Sequence, residues 1–246
     1  MTDTLQCYEH PLNERMRSAL RLEFLFDEFR RFEAQADNRR GLIAVICDLL
    51  SLLSRADAWS EMAQDLQREI DQLEQLRAMP EVDDARLQQT INEATQARGA
   101  LSRITPATVR IPKLLLTVMQ RASVPGGLAP ADVPGYTHWL RLPASVQQMQ
   151  VLEWMQPLFA FETAVTLWLK LVRSRADWQT RVLEHGQITL QGKSRHLLMR
   201  VALPQEAPWY PEISGGRQRL NLRLRGADTT ADEQARQVAQ LDIALC

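Results

Sequence analysis

The sequence predicts an α+β protein: a mostly helical N-terminal domain carrying a long αα-hairpin, then a mostly antiparallel β-sheet domain from the C-terminal third with short contributing strands. Apolar residues recur at three- and four-residue spacing through most of the first 176 positions, and at two-residue spacing beyond residue 180. Side chains repeat about every 3.6 residues around a helix and every second residue along a strand, so the two periods separate the two kinds of element. A pair of long helical seams, 57–79 and 83–104, flanks Pro80 and supplies the hairpin.

In chain order, residues 5–10 (LQCYEH) read as a short strand that Pro11 ends, and Asn13 is a helix cap. Residues 14–32 form a helix with Met16, Leu20, Leu22, Phe24, Phe26 and Phe29 around much of its circumference, so it is buried on more than one side. After a break at 38–41, residues 42–54 make a very apolar second helix. The hairpin seam carries Met62, Leu66, Ile70, Leu73 and Leu76 against Leu87, Ile91, Ala94, Leu101 and Ile104. Gln64, Gln67, Glu69, Gln72, Gln88 and Gln89 fall on its polar, solvated outer faces.

Pro106 and Pro112 bracket a loop, and 113–122 is a short helix ended by SVPGG at 123–127. Residues 136–142 are a possible strand. Residues 144–156 and 157–176 are two helical segments, with Pro157 in the first turn of the second. Strands follow at 181–191, 196–203, 217–225 and 238–245, with QGKS at 191–194 as a hairpin turn and 229–234 as a polar loop. One sheet results, one face buried against the helices. The domains are a mainly helical one at 13–176 and a β-domain at 179–246, to which the N-terminal strand 5–10 adds.

A chain of 246 residues with 45% apolar and 24% charged side chains can bury a sizeable core and is not disordered by composition. A net charge of −1 argues against nucleic-acid binding driven by global charge. Cys7, Cys47 and Cys246 form no CxxC, which suggests reduced thiols in a cytosolic setting and neither a zinc site nor a redox pair. No signal peptide is expected. The apolar stretch 158–172 holds Glu162 and Lys170 and is too short to span a bilayer.

No catalytic pattern emerges. His10, His138, His185 and His196 make no helical pair and no HExxH, and neither PGG at 125–127 nor SGGR at 214–217 fits a nucleotide loop. SGGR reads as a turn starting a strand, or as an anion cradle beside Arg217. No enzyme activity, cofactor or metal is expected.

The strand RQRLNLRLR at 217–225 is the most informative feature. Leu220, Leu222 and Leu224 face one way, and Arg217, Arg219, Asn221, Arg223 and Arg225 the other. Same-face residues sit about 6.8 Å apart. Arginines so close repel unless anions intervene, either from acids on neighbouring strands, such as Asp242, or from a partner. Arg17 and Arg21 form a like-charge i,i+4 pair on the first helix, and Arg55 ends the second helix, where a cation complements the dipole. Arginine suits forked pairing with carboxylates.

Several segments are familiar together. YEHPLNERMRSALRLEFLFDEF at 8–29, SVPGG at 123–127, DVPGYTHWLRLP at 132–143 and WYPEISGGRQRLNLRL at 209–224 resemble the ZapD family of cell division factors, in the same order and along the whole chain. The resemblance implies a non-enzymatic homodimer in the cytoplasm at the midcell division site, binding the C-terminal tail of FtsZ and crosslinking its filaments. It implies basic binding residues at Arg17, Arg21, Arg55, Lys113 and Arg219, with Arg21, Lys113 and His138 related to the dimer. Thr137 stands where the family has a histidine, with His138 next to it, and Gln240 where a basic residue is usual. The competing reading is a nucleic-acid binder using 217–225. It would need stacking aromatics among the basic residues of that strand, which has none.

Overall fold

Asn13 starts the first helix by accepting the Met16 main-chain N–H on its side-chain oxygen at 2.7 Å, and α1 then runs over Glu14–Glu33. The computed structural model describes residues 5–35, 38–54, 58–77, 83–104, 109, 111–193, 195–216 and 218–246. The expected turn at Pro80, Pro106, Arg55 and Arg217 lie outside them. Two units divide the chain, Met1–Leu20 with Leu169–Cys246, and Arg21–Trp168, so the division falls inside helices rather than between 176 and 179.

In the unit Arg21–Trp168, the rest of α1 is followed by α2 (Arg39–Leu53), α3 (Ala58–Leu76), α4 (Asp84–Ser102), α5 (Lys113–Ala122), α6 (Pro134–Trp139) and α7 (Ala144–Met155). A short 3-10 turn at Gln156–Leu158 leads into α8 (Phe159–Arg173). The helix α2 buries eight apolar residues, including Leu42, Ile46 and Leu49. Aromatic contacts tie the unit together: Trp59 meets Phe161 edge-on at 4.9 Å, and Phe29 meets Phe159 at 6.3 Å. Arg30 reaches Glu162 at 2.7 Å. The hairpin is α3 against α4, with Ile70, Leu87, Ile91 and Ala94 in its seam.

Two expectations fail in this unit. Glu69, expected on the solvated face, is 3% exposed. Residues 134–139 are helical, not a strand. Tyr136, Thr137 and Trp139 favour strands intrinsically, but Pro134 occupies the first turn and Tyr136 and Trp139, three apart, are both buried, which a helix achieves and a strand does not.

The other unit holds β1 (Leu5–Pro11), β2 (Trp178–Val182), β3 (Gln187–Gln191), β4 (Leu198–Pro204), β5 (Trp209–Gly215), β6 (Arg219–Gly226), α9 (Thr229–Gln237) and β7 (Gln240–Leu245). The expected single sheet is two antiparallel sheets, ordered β1-β4-β7-β2 and β3-β6-β5. Their inner faces share one apolar core: Met199, Val201 and Leu203 from β4, Leu241 and Ile243 from β7, and Leu220, Leu222 and Leu224 from β6.

The strand expected at 181–191 is β2 and β3, separated by His185 and Gly186 at φ 51° and 71°. The hairpin expected across 191–194 is not what joins β3 and β4, which lie in different sheets, and Ser194 is outside the described residues. The polar loop expected at 229–234 is the start of α9, capped by Asp228 and buried through Ala231 and Ala235 four residues apart. The strand β5 had no sequence signal strong enough to predict it, with Pro211 interrupting its run. All three cysteines are free thiols, and burial pushes the Cys47 thiol up to about 12.

On the outer face of the four-stranded sheet, Glu9 accepts hydrogen bonds from Arg173 at 2.9 and 2.6 Å and from Arg200 at 2.9 Å. The Arg200 guanidinium also lies 5.4 Å from the Trp178 ring centroid. The three charged side chains are 15–26% exposed, so removing the carboxylate takes their shared counter-charge from two largely desolvated arginines. Glu9→Ala is expected to lower unfolding stability by about 3 kcal/mol, read as the urea midpoint at unchanged slope.

Candidate functional site

Strand alternation fixes the candidate surface. With Leu220, Leu222 and Leu224 in the core, Arg219, Asn221, Arg223 and Arg225 project to the opposite face of the three-stranded sheet. Cross-strand register completes that face. Gln191, Thr189 and Gln187 of β3 stand opposite Arg219, Asn221 and Arg223. Ser214, Glu212 and Tyr210 of β5 stand opposite Asn221, Arg223 and Arg225. Thr189 donates to the Asn221 side chain at 3.0 Å.

The counter-charge is not the one expected. Asp242 lies in the other sheet and accepts from Thr180 at 2.6 Å. Instead Glu212 pairs with Arg225 at 2.9 Å and raises its pKa. Asp232 accepts the Gly226 N–H at 2.7 Å, which with the charges of Arg225, Arg236 and Arg223 holds its carboxyl below the ordinary value. Among the described residues, the side chains of Arg219 and Arg223 make no hydrogen bond or ion pair. Arg225 therefore has a direct carboxylate partner, and the other two do not.

SGGR is a turn. Gly216 donates to the Arg219 carbonyl at 3.0 Å, and Gly215 has φ 110°, where a Cβ would sit 2.2 Å from that carbonyl. Close to it lie His10 and Arg17. Burial holds the His10 pKa below 6.5, the Arg17 charge lowers it further, and a hydrogen bond with the Gly215 main chain opposes both. His10 Nε2 is buried without a described partner. Arg17 itself pairs with Glu14 at 3.2 Å on an exposed face.

Of the remaining candidates, Arg21, Lys113, Thr137 and His138 belong to the other unit, and Gln240 to this one. Arg21 is exposed on α1 and has no described partner. Lys113 is the first residue of α5, where the helix dipole disfavours a cation, and it is exposed. His138 is exposed in the last turn of α6. Thr137 is half-buried beside it, and Gln240 is exposed at the start of β7. Thus Arg219, Arg223 and Arg225 share one face, while His10 and Arg17 gather by the turn that precedes it. Tyr210 and Glu212 were missed because β5 was not predicted. Tyr210 is 47% exposed beside Arg225, a single aromatic rather than a stacking series. Among the described residues no three metal-binding side chains converge, and no helix is long and apolar enough to cross a membrane.

Comparison with known proteins gives this fold and surface a class: the similar proteins are cell division proteins. The cell division protein ZapD of Nitrosomonas europaea is 31% identical over 228 residues, 90% of this chain and 87% of that protein. The ZapD proteins of Idiomarina loihiensis and Methylococcus capsulatus are each 31% identical and span 97% of this chain. The family model described as ZapD, cell division protein, matches residues 20–223, and the chain belongs to that family.

The lowered pKa of His10 has a consequence for stability. In the unfolded chain His10 takes a proton near pH 6.5, and in the fold only at lower pH. Its contribution is complete above pH 6.5 and is lost as pH falls toward the folded value. Between about pH 7.5 and about pH 5.5, His10→Gln is expected to lose less urea stability than the unaltered protein. Equal losses would show that other groups account for the acid limb.

Proposed function

We propose that this chain is a non-enzymatic cell division factor that binds the C-terminal tail of FtsZ and crosslinks or bundles FtsZ filaments at the midcell division ring. Family membership supports the division role. The observation that carries the binding reading is the outward row on β6, where Arg219 and Arg223 lack the carboxylate partner that Arg225 has. An acidic tail supplies the missing anions, and arginine can pair with them in forked geometry. Arg217 comes two residues before β6 in the sequence, and Arg17 lies by the turn that leads into that strand.

Crosslinking needs two sites on one particle. A homodimer provides them, and two tethered contacts can be strong where each alone is weak. Arg21, Lys113 and His138 are the exposed basic residues that serve this dimer in our reading. The protein acts in the cytoplasm and needs no cofactor.

Co-sedimentation with GTP-polymerised FtsZ tests this. The protein should pellet with full-length FtsZ and not with FtsZ lacking its C-terminal tail. The double charge reversal Arg219→Glu with Arg223→Glu should weaken association about tenfold. Added salt should weaken bundling, because exposed ion pairs are screened. Bundling that is indifferent to both the tail and salt would overturn the reading.

A further inference from the structure

The same sheet that carries the arginine row ends in an unoccupied edge. Hydrogen-bond parity shows which main-chain groups of β3 face it. Leu224 donates to the Gly186 carbonyl at 2.9 Å, and Gly192 donates to the Gln218 carbonyl at 3.3 Å. Even-numbered residues of β3 therefore face β6, and odd-numbered residues face away. Gln187 has its outward groups taken by Glu184, at 2.9 and 3.0 Å. Thr189 and Gln191 keep theirs: among the described residues, no bond outside the sheet ladder engages them.

The other edges of the two sheets are less suited to an acidic strand. The outward-facing residues of β5 include Pro211, which has no N–H, and Gly215, which the His10 side chain engages. On β1 the outward residues include Pro11, and Glu9 lies on that strand. The edge of β2 is exposed along its length, but Asp242 sits on the next strand in line with Thr180. Beside β3, the next strand presents Arg219 and Arg223.

We infer that the free edge of β3 is where an acidic, extended peptide adds as a fourth strand to the sheet β3-β6-β5. This rests on the tail-binding reading, under which the peptide is the FtsZ tail. Main-chain pairing to Thr189 and Gln191 gives the peptide its direction and register. On one face, an acidic side chain falls in line with the row Gln191–Arg219, about two strand spacings from the arginine backbone and within reach of its guanidinium group, whereas the row Gln187–Arg223 already ends at Glu184. On the other face, alternate apolar side chains extend the core beside Ile188 and Leu190, which are half-buried at its margin. The affinity thus has a main-chain component that charge reversal on β6 does not remove.

A synthetic FtsZ tail peptide, fluorescently labelled, tests this against the full chain by anisotropy. Two further peptides carry backbone N-methyl groups at every second residue, one in each register. Strand addition uses the N–H groups of one register alone. One methylated peptide should lose about tenfold or more in affinity, and the other should bind within about twofold of the unmodified peptide. Amide exchange at Thr189 and Gln191 should slow on binding. Equal effects of the two methylated registers would overturn edge addition and leave tail binding intact. If the unmodified peptide fails to bind, the tail reading falls and this inference with it.

Discussion

The register of β6 is the constraint from which the candidate surface follows. Leu220, Leu222 and Leu224 are each at most 3% exposed in the core between the two sheets. A slip of one residue would turn those leucines to solvent and drive Arg219, Arg223 and Arg225 into an apolar layer. Burying an unpaired guanidinium is far more costly than exposing a leucine, so both terms act in the same sense. The arginine row is thus held by the leucines rather than by contacts of its own. That matters for a binding surface, because its members need not be partnered in the free protein for their positions to be fixed.

Like charges about 6.8 Å apart on one strand face are unfavourable, and the protein relieves this at one end of the row. Glu212 and Asp232 gather at Arg225, near the junction of β6 and α9. At that junction the backbones are in close contact: a Cβ on Gly226 would come within 2.1 Å of the Asp232 nitrogen. Arg225 therefore belongs to the structure of the β6–α9 corner as much as to the surface, while the side chains of Arg219 and Arg223 have no direct ion-pair partner among the described residues. The net charge of −1 is compatible with this, since local imbalance rather than overall sign decides what such a face attracts.

Long, strongly periodic elements were legible in the sequence. The hairpin of α3 and α4, the apolar α2 and the outward arginines of β6 all follow from spacing alone. What failed was set by partners distant in sequence. Tyr136 and Trp139 favour a strand locally, yet burial of both on one side requires a helix. Asp228 and two alanines four residues apart make α9 from a stretch that reads as polar loop. The split into two sheets depends on the turn at His185 and Gly186, whose positive φ angles periodicity cannot report. At the surface, Asp242 was the nearest acid in strand order but lies in the other sheet, and Glu212 became visible as the true counter-charge only once β5 was seen to pair with β6.

The Glu9 cluster shows that arginine content alone does not mark a binding surface in this family member. Arg173 and Arg200 converge on one carboxylate, are largely buried, and join a helix to two strands. Arg200, like Arg223, stands between apolar residues on a strand. The difference lies in what the fold brings into contact: Glu9 pairs directly with Arg200, whereas Glu212, in register with Arg223, pairs with Arg225 instead, and Gln187 and Gln191 stand opposite Arg223 and Arg219 on the open side of β6. Glutamine is uncharged and leaves the guanidinium groups uncompensated, and it does so on the strand whose outer edge is also free. Charge and main-chain valence are therefore unsatisfied at the same margin of the sheet. A partner that is both acidic and extended satisfies the two together, which a compact acidic surface or a free anion would not.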